Sequence, residues 1–302
     1  MHVVMTGASG FLGTHLIRHL LNEHHSVTAF VRSSSRTEAL VQLQSRGEKL
    51  RIINVETDPL SDAFSSFDVG AVVHVATSYG RGETPIEAVL MSNLIYPISV
   101  VEAAIHAGVP LFINTDSFFN KPNFTYGHLM HYATSKRALL DWLRQLSSEI
   151  RIVNLRLEHV YGPGDHIDKF VPSVFQAIAK QRNPVFPMTH GHQRRDFIHV
   201  DDVVRAYSAV LSAEITMTES KIALYSEFEV GTGKSTEIRQ IPLIVKELAN
   251  SRTNILFGEF SYRNDEIMDS RSSSFFGDTF GWEAKIDLRN GLFNMMKTPG
   301  EF

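Results

Sequence analysis

The chain has 302 residues, with 29 Lys plus Arg against 33 Asp plus Glu, for a formal charge of −4. That slight acidity argues against non-specific binding to nucleic acid or to anionic membranes, both of which call for a basic surface. Cysteine is absent, which excludes disulfides, a thiol nucleophile, thiolate-ligated zinc and iron–sulfur clusters together. With 43% hydrophobic and 21% charged residues the composition is that of an ordinary globular protein. The length allows two domains, or one large α/β unit with an added lobe. No apolar run is read as reaching the ~18 residues of a membrane span. The amino terminus lacks the basic and apolar regions of a signal peptide, so a cytoplasmic protein with no membrane partner is expected.

In chain order, short β-branched runs at 3–5, 26–31, 51–54, 71–75, 111–114 and 152–156 read as strands. Between them, 11–22, 84–107 and 128–147 carry apolar residues at helical spacing; Leu139, Leu140, Leu143 and Leu146 are an example. Alternating strands and helices imply right-handed crossovers. Nearly all-apolar strands imply a parallel sheet covered on both faces. The expected fold class is α/β, a doubly wound parallel sheet, in residues 1–160. After Tyr161-Gly-Pro-Gly the rhythm breaks, and a smaller C-terminal substrate-binding lobe is expected over 161–302, with 196–212 returning to the first domain.

Thr6-Gly-Ala-Ser-Gly-Phe-Leu-Gly13 lies between the first strand and the first helix. Glycines at 7, 10 and 13 permit a tight turn and close backbone approach, and the helix N–H groups can receive a pyrophosphate. Gly7, Ser9, Gly10, Phe11, Leu12 and Gly13 are therefore expected to bind a dinucleotide, in a Rossmann fold. An NAD site usually ends its second strand in Asp or Glu. Here that strand ends Phe30-Val31-Arg32-Ser33-Ser34. Arg32, with Arg36 beyond it, suits a 2′-phosphate, so NADP(H) is the expected cofactor. Asp58 is placed either to touch the adenine or to close a turn. Gly231-Thr-Gly-Lys-Ser235 looks like the end of a phosphate-binding loop, but Phe228 stands where that pattern needs glycine. It reads instead as a strand-to-helix turn with Ser235 or Thr236 as N-cap.

Tyr132 and Lys136 share one face of a predicted helix, where an ammonium can lower a phenol's pKa. Together with TGASGFLG, His74-Val-Ala76, Asn93, Thr115, Arg156-Leu-Glu-His-Val-Tyr-Gly-Pro163, Arg195-Asp-Phe-Ile-His-Val-Asp-Asp202, Val230-Gly-Thr-Gly233 and Gly281-Trp282, they resemble the extended short-chain dehydrogenase/reductase family. That family comprises sugar-nucleotide epimerases, dehydratases and ketoreductases. The resemblance implies that Tyr132 is the general acid/base, that Thr115 hydrogen-bonds the reacting oxygen, and that Lys136 also holds the nicotinamide ribose beside Ala76. It implies substrate contacts from Asp116, Ser117, Tyr126, His159, Phe170, Arg195 and Arg263. A strand-end cap remains the plain alternative for Thr115, as does a surface ion pair for either arginine.

Related 4,6-dehydratases carry Asp then Glu after the catalytic threonine, whereas this chain has Asp116-Ser117, which argues against dehydration. Phe112-Ile-Asn-Thr-Asp-Ser-Phe-Phe119 and the string through Asp165 resemble a branch acting in bacterial O-antigen biosynthesis. Its members reduce the 4-keto group of CDP-4-keto-3,6-dideoxy-D-glucose with NADPH. The alternatives are an epimerase that retains NAD, opposed by Arg32; a dehydratase, opposed by Ser117; and a non-catalytic NADP-binding scaffold, opposed by the intact Thr115, Tyr132 and Lys136. His128 with His131 and His190 with His192 form no metal motif, and no metal is expected. Family members dimerise through two long helices, here 84–107 and 128–147, so the resemblance implies a homodimer whose partner molecule is a nucleotide sugar.

Overall fold

The computed structural model describes all residues except 66, 122, 123, 125, 126, 217–223 and 298–302, and omits the side chains of 214–216. Short runs of Val, Ile and Ala with no polar interruption build its central strands, which must be covered on both faces. In β1 (His2–Thr6) every residue is buried. Helix α1 (Phe11–Asn22) leads to β2 (Ser26–Val31), α2 (Glu38–Ser45) and β3 (Leu50–Asn54). Then follow β4 (Val69–His74), the long helix α3 (Ile86–His106), β5 (Leu111–Ser117), α4 (Met130–Leu146) and β6 (Arg151–Leu157).

The main sheet is completed by a seventh strand, here β11 (Tyr225–Val230), in the order β11-β6-β5-β4-β1-β2-β3. Strand β1 runs parallel to β2, with Val3 opposite Val27, and parallel to β4, with Val4 opposite Val72. The chain therefore leaves β1 in one direction and returns on its other side. This makes a topological switch point at the carboxyl ends of β1 and β4, where doubly wound sheets bind ligands. Periodicity did not reveal β11 because Tyr-Ser-Glu-Phe-Glu-Val mixes polar residues into an edge strand, which needs cover on fewer sides.

Two helices differ from expectation at their starts. Pro85 is extended (φ −60°, ψ 144°) and Leu129 is left-handed (φ 60°), so α3 and α4 each begin two residues late. Within α3 a π-helical turn, Met91–Ile95, precedes Pro97, whose ring nitrogen has no hydrogen to give the Asn93 carbonyl. Over 21 residues α3 has a mean hydropathy of 1.6, long and apolar enough to cross a membrane, contrary to the expectation that no such stretch exists. Glu87, Ser92, Asn93, Ser99 and Glu102 interrupt its apolar run, and an average tolerates what an unbroken run does not. A core helix passes the same test, and Val89, Asn93, Val100, Val101 and Ala104 are buried.

The chain divides into two compact units: 1–123, 127–156 and 207–228 in the first, and 124–126, 157–206 and 229–302 in the second. The second contains β7 (His159–Tyr161), β8 (Val185–Met188), β9 (Arg194–Arg195) and β10 (Phe197–His199). After them come β12 (Thr236–Glu237), α6 (Gln240–Leu248), β13 (Asn254–Phe257), α7 (Phe275–Phe280) and α8 (Leu288–Lys297). Its core gathers Tyr161, Val174, Phe175, Ile178, Ile241, Val245, Leu292 and Met295. The segment expected to rejoin the first domain at 196 stays in the second unit to 206, because β10 pairs with β7. Only from Tyr207 does helix α5 (Val200–Thr216) belong with the first unit, where Ser208 donates to Glu23 at 2.7 Å. The turn at Gly231–Ser235 leads first into β12, and Arg239 rather than Ser235 or Thr236 precedes α6.

Candidate active site

In the first unit, the loop after β1 is built around glycine. Gly7 has φ +69°, and a Cβ there would lie 2.5 Å from the Ala76 nitrogen; a Cβ at Gly13 would collide with the Gly7 carbonyl. Close packing thus explains Gly7 and Gly13. Gly10 has more room, but it precedes α1 with no side-chain cap. A helix start whose N-cap residue has no side chain to cap it suits a phosphate. Thr6 ties this loop to β4: its hydroxyl accepts from the Val75 and Ala76 N–H groups, each at 3.1 Å, and pairs with His74 at 2.8 Å. His74 is fully buried, and burial followed by the Lys136 charge holds it well below its ordinary pKa. Ser9, Phe11 and Leu12 lie on the loop and the first turn of α1.

At the end of β2, Arg32 is exposed and its backbone N–H donates to the Ser35 hydroxyl at 3.0 Å. Sequence reasoning missed Glu56, whose carboxylate accepts from the Ser33 N–H at 2.9 Å. Bonds from Ser33 lower its pKa, with help from Arg32. This acid lies within reach of the Arg32 charge, and its only sequence signal is its place just after β3. Asp58 accepts from the Asn54 N–H at 3.1 Å and from the Thr57 hydroxyl. It closes the β3 turn, the simpler of its two expected roles.

Tyr132 and Lys136 are both buried on α4. The Lys136 Nζ donates to the Thr115 carbonyl at 2.8 Å. Burial pushes its pKa down from 10.5 to about 8, and Asp116 works against that shift. The Tyr132 ring lies 4.9 Å from that of Tyr79 and edge-on to Phe119. Burial raises the phenol well above its ordinary pKa; Tyr79 and Asp116 add to this, and a hydrogen bond from Ser117 opposes it. The expected lowering by Lys136 is not found: Lys136 is not among the groups that shift this phenol, which stays protonated near neutrality. Asn93, in the π turn, braces the region with all of its amide capacity. It accepts from the Ser78 N–H (2.7 Å) and the Thr77 hydroxyl (3.2 Å), and donates to the Ser78 carbonyl (2.8 Å) and the Ser135 hydroxyl (3.0 Å).

Thr115 has a partner within the first unit. Its hydroxyl lies 2.6 Å from that of the buried Tyr207. Asp116 also turns into the protein: it accepts from Asn120 at 2.7 Å and from Asn154 and Arg156 at 3.3 Å each. Burial raises its carboxyl pKa, and the Arg156 and Lys136 charges oppose that. Arg156 continues to Glu227 at 2.5 Å, which Arg144 meets at 2.6 Å. Sequence reasoning missed this ladder, although Asn114 and Asp116 on β5 and Asn154 and Arg156 on β6 mark it as polar residues two apart in otherwise apolar strands. Tyr126 lies outside the described residues.

In the second unit, Arg195 is buried and donates to the Ile267 carbonyl and, at 2.5 Å, to Glu266. Asp196 accepts five bonds, from the N–H and hydroxyl of Thr232, the Gly233 N–H, and the N–H and hydroxyl of Ser272. Glu158 takes the Ser270 hydroxyl at 2.9 Å, and Asp202 takes the Lys285 and Ile286 N–H groups. His159 stands edge-on to Phe197 at 5.7 Å, and burial lowers its pKa. Phe170 opens the helical segment 170–174 and packs on the core. Arg263 is exposed in the loop before Glu266. Among the described residues no group of three or more His, Cys, Asp or Glu could hold a metal.

The model of the NAD dependent epimerase/dehydratase family matches residues 3–222. CDP-abequose synthase of Salmonella muenchen is 35% identical over 297 residues, covering 97% of this chain and 96% of that one. The enzyme of the same name from Salmonella typhimurium strain LT2 is 32% identical over 300 residues, covering 98% and 97%. Among solved structures, MoeE5 in complex with UDP-glucose and NAD superposes with a TM-score of 0.77 at 25% identity, covering 98% of each chain. A seven-stranded doubly wound sheet, a glycine turn at its switch point, a buried Tyr132–Lys136 pair and these likenesses agree: the chain belongs to the NAD dependent epimerase/dehydratase family.

Proposed function

We propose that this protein reduces the 4-keto group of a nucleotide-activated deoxysugar with NADPH, the substrate being CDP-4-keto-3,6-dideoxy-D-glucose, in bacterial deoxysugar and O-antigen biosynthesis. The observation that carries this reading is the end-to-end likeness to two CDP-abequose synthases, at 35% and 32% identity. MoeE5, solved with UDP-glucose and NAD, supports a nicotinamide cofactor and a nucleotide sugar in the same general way.

The chain's own residues suit the reductive direction. The glycine turn and the uncapped start of α1 would hold the cofactor's pyrophosphate, Ala76 would border it, Lys136 would hold the ribose, and Arg32 would meet the 2′-phosphate. When bound, the nicotinamide supplies a hydride. Tyr132 gives its phenolic proton to the ketone oxygen as that oxygen gains charge, and the phenolate left behind recovers a proton from solvent. A phenol that stays protonated near neutrality is prepared to act as an acid, whereas an epimerase must first remove a proton from a hydroxyl. The substrate's nucleotide and sugar fall to Ser117, Tyr126, His159, Phe170 and Arg263. Asp116 and Arg195 would act mainly by position, since protein groups already engage them.

We place the enzyme in the cytoplasm as a homodimer. Ile86, Met91 and Ile95 on α3, and Met130 and Trp142 on α4, are each 46–59% exposed, an apolar set that a second copy would cover. Sedimentation of the parent and of Trp142→Glu tests this point. The function is tested with CDP-, dTDP-, UDP- and GDP-4-ketohexoses and either NADPH or NADH. Stoichiometric NADPH oxidation with the CDP-sugar is expected. A protein that purifies saturated with NAD and interconverts sugars without net oxidation of NADPH is an epimerase instead.

A further inference from the structure

The resemblance that brings Thr115 to the reacting oxygen needs its hydroxyl to donate there, so what else that hydroxyl meets matters. Thr115 lies near the end of β5 and is half-buried. It is held at two points. Its backbone carbonyl receives the Lys136 Nζ at 2.8 Å, and its hydroxyl lies 2.6 Å from that of Tyr207 on α5. Tyr207 is fully buried, as are Val203 and Leu211, about one turn before and after it on the helix. On that apolar face the phenol carries the polar atom, and a buried hydroxyl is costly unless paired. Thr115 supplies the partner; among the described residues the Tyr207 hydroxyl has no other hydrogen bond. By position either oxygen can donate, and acidity decides between them. A phenol is the stronger acid and the poorer acceptor of the two. Burial raises the Tyr207 pKa, so its proton stays in place. Tyr207 therefore donates, and the Thr115 hydroxyl keeps its one proton for another acceptor.

We propose that Tyr207 is a positioning residue for the reaction: its O–H occupies a lone pair of the Thr115 hydroxyl and so turns the Thr115 proton toward the ketone oxygen. This rests on the reductase reading and deepens it. The ketone carbon takes the hydride, its oxygen takes the proton of Tyr132, and Thr115 and Tyr207 each keep their own. As charge builds on that oxygen, the hydrogen bond from Thr115 strengthens. A donor behind Thr115 polarises its hydroxyl and makes it a better donor in turn. The gain is therefore larger in the transition state than in the bound ketone, and it appears in kcat rather than in KM. Tyr207→Phe keeps the ring and its burial and removes only this bond.

Tyr207→Phe and Thr115→Val, singly and together, test this, with Thr115→Ser as the variant that keeps the hydroxyl. Thr115→Val should lower kcat about ten- to hundredfold. Tyr207→Phe should lower it about three- to tenfold with KM little changed. In the Thr115→Val background it should cost nothing further, because Tyr207 acts only through that hydroxyl. Thr115→Ser should regain most of the loss and keep its sensitivity to Tyr207→Phe. A denaturant melt of each preparation gives the folded fraction to which kcat is referred. The pairing itself is read without substrate, in protein labelled with 13C at the phenolic carbon of tyrosine. The Tyr207 resonance, assigned by its loss in Tyr207→Phe, should move in Thr115→Val and stay near its place in Thr115→Ser. The proposal falls if Tyr207→Phe keeps the parent kcat. It falls equally if Tyr207→Phe costs the same factor with and without Thr115→Val, the mark of a purely structural tyrosine, or if the Tyr207 resonance ignores Thr115→Val. If the parent reduces no ketosugar, the reductase reading fails and takes the role in reduction with it, while a Tyr207 resonance that follows Thr115→Val still shows the pairing.

Discussion

The glycine turn and Tyr132 region of the first unit and the Asp196 region of the second both carry family motifs, yet their polar groups are used in opposite ways. Around Asp196 the donors converge: five bonds meet on one carboxylate, and a Cβ at Gly231 would come within 2.5 Å of it. Around Tyr132, burial holds ionisable groups away from their ordinary pKa values, with the phenol raised and Lys136 lowered. The start of α1 has no side-chain cap. A saturated network holds a loop in place, whereas perturbed titratable groups beside an uncapped helix start are what chemistry requires. A shared motif therefore does not by itself mark a catalytic residue; what its side chain is already bonded to decides.

Substitutions that separate activity from stability sharpen this contrast. Tyr132→Phe should lower turnover about 10²–10⁴-fold and cost about 1 kcal/mol of stability for the lost hydroxyl bond, read from kcat and a denaturant melt on the same preparation. Retention of more than about a tenth of the parent kcat would remove Tyr132 from the role of acid. Asp196→Ala should show the opposite pattern. It strands the Thr232 and Ser272 N–H groups and should cost about 3 kcal/mol or more, with kcat per folded molecule nearly kept. A normal melt with lost turnover would mean that Asp196 belongs to the chemistry. Next in size, Arg32→Ala should reduce the NADPH-over-NADH ratio of kcat/KM about tenfold, the low end for a charge-assisted contact because Arg32 is exposed.

Lys136 gives a pH test with two signs. Its pKa is lowered to about 8, so the cation and its ribose contact fade as pH rises through 8, and kcat/KM should fall about tenfold per further pH unit. Between about 8 and 10.5 the unfolded chain holds a proton that the folded protein has released. Stability from this group therefore rises with pH in the window where activity falls. Parallel pH series of kcat/KM and melting, compared with Lys136→Met, should diverge; a joint decline would reassign the effect to unfolding. The smallest expected change is at Glu56. Glu56→Gln removes a negative charge near Arg32 and, on the NADPH reading proposed above, should raise the NADPH-over-NADH ratio about two- to fivefold, less at high salt.

Local order was legible wherever it depends on neighbours in the chain. Apolar runs with no polar break announce strands buried on both faces, and β2 (Ser26–Val31) and α1 (Phe11–Asn22) follow those patterns to the residue. Gly7 and Gly13 announce a turn that tolerates no Cβ, and Tyr132 and Lys136 fall on one helical face because four residues make about one turn. Where an element also answers to distant partners, the chain order is silent. Edge strand β11 exists because β6 offers it hydrogen bonds, and α3 carries a π turn because Pro97 withholds one. The helix Val200–Thr216 divides between units at Tyr207, and neither side of that boundary differs in periodicity. The surroundings of Thr115 and Ser117 are the clearest case. Two hydroxyls, two residues apart on one strand, are equivalent in any local reading. They are told apart by Tyr207, 92 positions away along the chain, which meets the Thr115 hydroxyl at 2.6 Å. Sequence alone determined the fold class, the glycine turn and the Tyr–Lys pair, because short-range periodicity and backbone sterics decide them. Tertiary structure decided which polar side chains are spent on the framework and which are left for chemistry, because a hydrogen bond is settled by proximity in space and each donor can be used only once.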